Sequence, residues 1–161
     1  MPLFFFAAIL SLLADQLSKI WIRARLPEGE SIDFLTGVMH LEHVQNRGAA
    51  WGVLSGQKWL LILFTLVVIG VILHSAREVA QRSALAALGF GLILGGAVGN
   101  LTDRILFGHV TDFFDLDTPF SALQTFPVFN VADSALTVGV VLMLISLFLT
   151  RPQPPVAIEN Q

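Results

Sequence analysis

The stretch GFGLILGGAVGNLTDR, residues 89–104, decides the fold. Gly91, Gly95 and Gly99 are four apart, so on a helix they share one face that is bare enough for another backbone to approach closely. The residues between them are apolar, and a membrane span from about 83 to 100 is expected, with these three glycines in a structural role. A span with such a face belongs at the centre of a bundle. It ends on Asn100, Asp103 and Arg104, which fall within one turn and let an amide and a guanidinium point the same way. A helix terminus with Arg near its last carbonyls would explain the same residues.

The rest of the chain has to supply the bundle. Of 161 residues, 55% are hydrophobic and only 13% are charged, and mean hydropathy is +0.75, too apolar for a soluble domain of this length. A bilayer core about 30 Å thick takes roughly 20 apolar residues per helix. Three further stretches qualify, at about 3–22, 59–76 and 134–150. The expected fold is therefore all-α and integral to the membrane, a single four-helix domain over residues 1–151 with a disordered tail at 152–161. The N-terminus resembles the apolar region of a secretory signal but lacks a basic flank and a small-residue cleavage site, so it reads as a retained span.

With four spans both termini lie on one side, and the connections 23–58 and 101–132 share the other. Chemistry is expected there. In the first, Leu35-Thr36-Gly37-Val38 offers a turn and Met39 to His43 alternates, which predicts a small β element. The second interleaves Phe and Leu with Asp, as in DFFDLD, and suits an interfacial loop. The rule that places Lys and Arg on the cytoplasmic side points the other way. Lys19, Arg23, Arg25, Arg47, Lys58 and Arg104 lie on the loop side, against Arg77, Arg82 and Arg151 on the side of the termini.

Composition also excludes chemistry. There is no cysteine, hence no disulfide, thiol nucleophile or thiolate-bound zinc. A net charge of −3 without a basic run argues against nucleic acid as a partner. Nothing resembles a nucleophilic serine elbow.

Ionisable residues in spans are costly unless paired or facing a cavity. Asp15 and Lys19 share a helical face, which fits an i,i+4 ion pair with Lys19 snorkelling outward. Asn130 and Asp133 fit a helix N-cap at the start of the fourth span. Asn46 fits a turn. Capping does not explain Asp112, which lies among apolar neighbours in HVTDFF. Two carboxylates in a poorly solvated site cannot both ionise readily, so Asp112 and Asp133 can serve as acid and base towards one water. Other readings remain open at this point. Asp112, Asp115 and Asp117 offer a Mg²⁺ site of the kind used in headgroup transfer. His40 and His43 offer two zinc ligands. Asp15, Asp112 and Asp133 offer a proton relay in a small transporter.

Five motifs in order then carry a resemblance: DQLSK at 15–19, NRGAAWG at 46–52, GNLTDR at 99–104, HVTDFF at 109–114 and FNVAD at 129–133. The chain resembles the signal peptidase II family over essentially its full length apart from the tail. The resemblance implies a catalytic pair, Asp112 and Asp133. It implies that Asn46, Asn100, Arg104 and Asn130 line or order the site, that Asp15 supports it from the first helix, and that Asp103 is structural. It further implies a monomer in the bacterial cytoplasmic membrane with both termini cytoplasmic and the loops at the outer face. The substrate would be a lipidated prolipoprotein presented by membrane lipid, with no cofactor and no metal. Trp51 stands where the family more often has Phe.

Overall fold

The computed structural model describes residues 1–48, 54–118 and 125–149. Four helices long and apolar enough to cross a membrane are present among them. They are α1 (Pro2–Arg25), α2 (Lys58–Arg82), α3 (Ala84–Leu106) and α4 (Val131–Leu149). Three strands, β1 (Ser31–Leu35), β2 (Met39–Asn46) and β3 (Val110–Leu116), form an antiparallel sheet in that order. The four-span fold and the small β element follow the sequence reading. Trp51 and the tail 152–161 lie outside the described residues.

Helix α3 is the axis of the bundle. Some 61% of its apolar window is buried, against 33% for α1 and 22% each for α2 and α4, and it packs on all three of the others. Glycine makes this possible. A Cβ at Gly91 would strike Phe4 O and Ala7, one at Gly95 would strike Ser11 Oγ and Ala8 O, and one at Gly99 would strike Asp15 Oδ2. The expected bare face is thus filled by α1, backbone against backbone. A second face, which the four-residue spacing did not reveal, seats α4. There, a Cβ on Gly89 would lie 2.7 Å from Gly139 O, and one on Gly96 would lie 2.5 Å from Ala132 O. Between helices in lipid the drive for association is packing, and small residues supply it.

The helices run further than hydropathy suggests. Residues 101–106, expected in a loop, complete α3, and α1 continues three residues past Ile22 to Arg25. Arg23, Thr102, Asp103 and Arg104 in these extensions have protein partners, so the helices need not end where apolar sequence does. At the far end, Ser83 starts α3 by accepting a hydrogen bond from Ala86 N, which separates α2 from α3 by one extended residue.

The hairpin forms as its turn residues require. Val38 N donates to Leu35 O at 2.8 Å, and Gly37 takes φ +73° without Cβ strain. Strand β3 comes from the second loop, where no strand was expected, and pairs with β2 so that Val44 faces Asp112 and Asn46 faces Val110. The sheet packs on the end of α1 through Ile22, Leu26, Leu41 and Phe113. Phe113 N and Phe114 N donate to Phe129 O at 3.0 and 2.7 Å, and Phe129 N donates to Phe114 O at 3.1 Å. That bridge holds the entry to α4 against β3.

Candidate active site

Asp112 reaches the site from β3 and Asp133 from the first turn of α4, brought together by the Phe114–Phe129 bridge one residue before Asn130. Both carboxylates line a cavity of about 340 Å³, with Asn46, Asn100 and Arg104 among its walls. A second cavity, of about 450 Å³, also reaches Asp112 and is lined by the end of β2 and by Pro127-Val128.

Three asparagines set the carboxylates. Asn130 Nδ2 donates to Asp112 Oδ1 at 2.6 Å and Asn46 Nδ2 to Asp112 Oδ2 at 2.9 Å. Asn100 Nδ2 donates to Asp133 Oδ1 at 2.8 Å, and Asn130 N to Asp133 Oδ2 at 3.1 Å. Every carboxylate oxygen of the pair therefore accepts a hydrogen bond. Each amide is oriented by a donor of unambiguous identity on its oxygen. Gly48 N donates to Asn46 Oδ1 at 2.9 Å, Asp133 N to Asn130 Oδ1 at 3.0 Å, and Lys19 Nζ to Asn100 Oδ1 at 2.8 Å.

The cap reading of Asn130 and Asp133 is correct as far as it goes. Their side chains and backbone N–H groups bond reciprocally across the first turn of α4. Asp133 nevertheless keeps a face on the cavity, so capping and exposure to the site coexist in one side chain.

Burial raises the pKa of Asp112 to about 7, with the negative charge of Asp133 adding to the effect and the Asn46 and Asn130 amides opposing it. A carboxyl that holds its proton near neutrality beside a second carboxylate is a poised acid–base pair.

Behind the pair lies a buried ionic cluster. Lys19, wholly buried, sits 3.0 Å from Asp15 and 3.5 Å from Asp103, both also wholly buried. It does not snorkel. The expectation considered only the local i,i+4 partner, whereas α3 supplies a second carboxylate, and two acids plus an amide oxygen hold the ammonium inside. Asp15 Oδ1 accepts from Ala132 N at 3.0 Å, tying α1 to the start of α4. Asp103 Oδ2 accepts from Thr111 N at 2.9 Å, tying α3 to β3 beside Asp112. Arg23 Nη1 donates to Thr111 Oγ1 at 2.9 Å and lies 3.5 Å from Asp103 Oδ1. Gln16 Nε2 donates to Asp15 Oδ2 at 3.0 Å and Gly99 O at 3.2 Å.

The sequence-derived residues thus fall into two groups. Asp112, Asp133, Asn46, Asn100 and Asn130 converge, and Arg104, whose Nη2 donates to Gly48 O at 3.1 Å, stands on the same cavity wall. Asp15 and Asp103 lie behind, among the buried charges. Sequence reasoning paired Lys19 with Asp15 but missed its bonds to Asp103 and Asn100, and it missed Arg23, Gln16 and Thr111; the one available signal was the cost of Lys19 within a span.

The rival readings fare differently. Among the described residues no group of three His, Asp or Glu side chains is placed to hold a metal. Asp117 is exposed and lies 3.6 Å from His40, while His43 Nδ1 lies 2.8 Å from Leu26 O. Asp15 is committed to Lys19, Gln16 and Ala132, so it does not extend the Asp112–Asp133 pair into a relay across the bilayer.

A helical membrane bundle with two hydrogen-bonded carboxylates on one cavity at its mouth is the arrangement a membrane aspartic hydrolase would need. The family model described as Signal peptidase (SPase) II matches residues 7–149. The chain is 42% identical over 146 residues to a lipoprotein signal peptidase of Geobacillus kaustophilus, covering 90% of this chain and 92% of that one. It is 43% identical over 155 residues to that of Gloeobacter violaceus, covering 96% and 86%. A bacterial membrane enzyme solved by the in meso method at 2.3 Å resolution superposes with a TM-score of 0.86 at 30% identity, covering 97% of this chain and 95% of that one. The chain belongs to the signal peptidase II family, multi-pass aspartic peptidases of bacterial membranes that remove signal peptides from prolipoproteins.

Proposed function

We propose that Asp112 and Asp133 are the catalytic pair of this peptidase. The observation that carries the reading is their shared cavity, with all four carboxylate oxygens held by asparagine donors and the proton of Asp112 retained to about pH 7. Asp112, protonated, donates to the scissile carbonyl oxygen while Asp133, ionised, takes a proton from the attacking water. The resulting gem-diol then collapses. Asp133 returns its proton to the departing amide nitrogen, and Asp112 recovers one from a diol hydroxyl, so the pair ends as it began. Asn46, Asn100 and Asn130 hold the carboxylates at fixed angles, and Arg104 fixes the loop at Gly48 and presents positive charge to the cavity.

The substrate is a prolipoprotein whose cysteine already carries diacylglycerol, cut on the N-terminal side of that cysteine. A site at the mouth of the bundle suits a peptide held at headgroup depth by its own acyl chains. Both termini are cytoplasmic and the sheet faces outward. Charge counting still opposes this orientation when ion-paired residues are set aside. Lys19 and Arg23 on the loop side and Arg82 on the other are bound to acids, which leaves Arg25, Arg47, Lys58 and Arg104 against Arg77 and Arg151. One monomeric domain, residues 1–151, contains the whole site.

The test is cleavage of a lipidated prolipoprotein by purified protein. Asp112→Asn and Asp133→Asn should each lower kcat about 100-fold or more, and EDTA should leave the native enzyme unaffected. Full activity in either variant would remove that carboxylate from the mechanism.

A further inference from the structure

We infer that Lys19 is a positioning residue for catalysis, acting through Asn100 on Asp133. The inference rests on the catalytic pair proposed above. Asn100 has two chemically different ends, and only one orientation serves the site. With its oxygen towards Lys19 Nζ, at 2.8 Å, its NH₂ faces Asp133 Oδ1, also at 2.8 Å. Were the amide turned over, an N–H would meet the ammonium and an oxygen would meet the carboxylate, both repulsive. The buried ammonium therefore fixes the amide by charge. Asn130 Nδ2, at 3.2 Å from the same oxygen, is a weaker second donor whose main bond is to Asp112.

The position of Lys19 is itself fixed from two helices. Asp15 on its own helix and Asp103 on α3 flank the ammonium at 3.0 and 3.5 Å. These acids also anchor the two segments that carry the pair, Asp15 at Ala132 N and Asp103 at Thr111 N. An ordinary buried ion pair would need only its counter-ion. Here the third bond of the lysine is spent on an amide whose other end touches a carboxylate of the site.

The expected signature is kinetic. Lys19→Met should lower kcat about 10-fold or more, the order of a lost charge-assisted hydrogen bond, with KM within about 2-fold, because Lys19 does not line the cavity. Since the effect passes through Asn100, Lys19→Met in an Asn100→Ala background should lower kcat no further, a non-additive pair. Lys19→Met leaves two buried acids short of a cation, so Asp15→Asn/Lys19→Met is the second variant. It removes one charge of each sign and keeps an amide oxygen for Ala132 N. The double variant should fold and show the same kcat loss as Lys19→Met. Losses that multiply between Lys19→Met and Asn100→Ala, or a folded Asp15→Asn/Lys19→Met enzyme with native kcat, would overturn the role of Lys19. Full activity in Asp112→Asn or Asp133→Asn would instead remove the pair on which the inference stands.

Discussion

Replacing Gly95 with alanine tests whether the approach of α1 to α3 holds the site together. The added Cβ would overlap Ser11 Oγ and Ala8 O, the second a backbone atom of a helix that cannot yield locally. Ser11 is itself committed, donating to Ala7 O at 2.8 Å and Ala8 O at 3.2 Å. Relief therefore requires α1 as a whole to move outward. Overpacking of this kind costs about 1–3 kcal/mol, and the backbone obstacle places Gly95→Ala near the upper end, about 2–3 kcal/mol. For a chain of this size that lowers Tm by about 4–12 °C. The displacement also reaches the site, because Asp15 lies on the same face one turn further on and bonds Ala132 N at 3.0 Å. Gly70→Ala in α2 is the control, since a Cβ there meets nothing within 4 Å and alanine is the better helix former. Thermal unfolding of both variants in one detergent, with cleavage assayed alongside, gives the comparison. Equal Tm for Gly95→Ala and Gly70→Ala would refute the argument that backbone contact at Gly95 sets the bundle.

Four further outcomes are expected. Activity should fall as pH rises through about 7, because Asp112 loses its proton there, and a second, acid limb should report the other macroscopic ionisation of the pair in the pH–rate profile. Stability follows the same group. Its folded pKa lies above the unfolded carboxylate's roughly 3.9, so the folded state binds the extra proton and stability contributed by Asp112 is lost as pH climbs from about 4 to about 7, then levels off; denaturant melts across that range check the sign. Asn46→Ala removes a donor that favours the charged form of Asp112, so the alkaline limb should move to higher pH. Asp103→Ala strips Lys19 and Arg23 of a shared buried acid and Thr111 N of its acceptor, and should cost about 3–5 kcal/mol of stability, read as loss of folded protein on heating.

Much of the architecture was legible because lipid imposes it. Apolar runs of sufficient length had to be spans, and the spacing of Gly91, Gly95 and Gly99 marked α3 as the helix against which another would lie. The hairpin was legible from Gly37 and the alternation after it. What escaped was non-local. Strand β3 has partners on β2 that are 64 to 77 positions away, and HVTDFF alone does not show that a strand edge awaits it. The second glycine face, Gly89 against Gly139 and Gly96 against Ala132, needs the position of α4 before it means anything. Lys19 was misplaced for the same reason, since Asp103 comes from another helix. The carboxylate pair was visible as an unexplained acid next to a good cap, but its asparagine cradle joins three separate segments.

On hydropathy α1 passes for a leader sequence, the same sort of object that this family excises. Yet its glycine-seated face carries Asp15 and Lys19 into the interior, and Asp15 holds the first turn of α4 at Ala132. Shortening the chain from its beginning would therefore do more than loosen an anchor: it would delete part of the wall behind Asp112 and Asp133. What sets this helix apart from the peptides delivered for cutting is that the protein is folded around it.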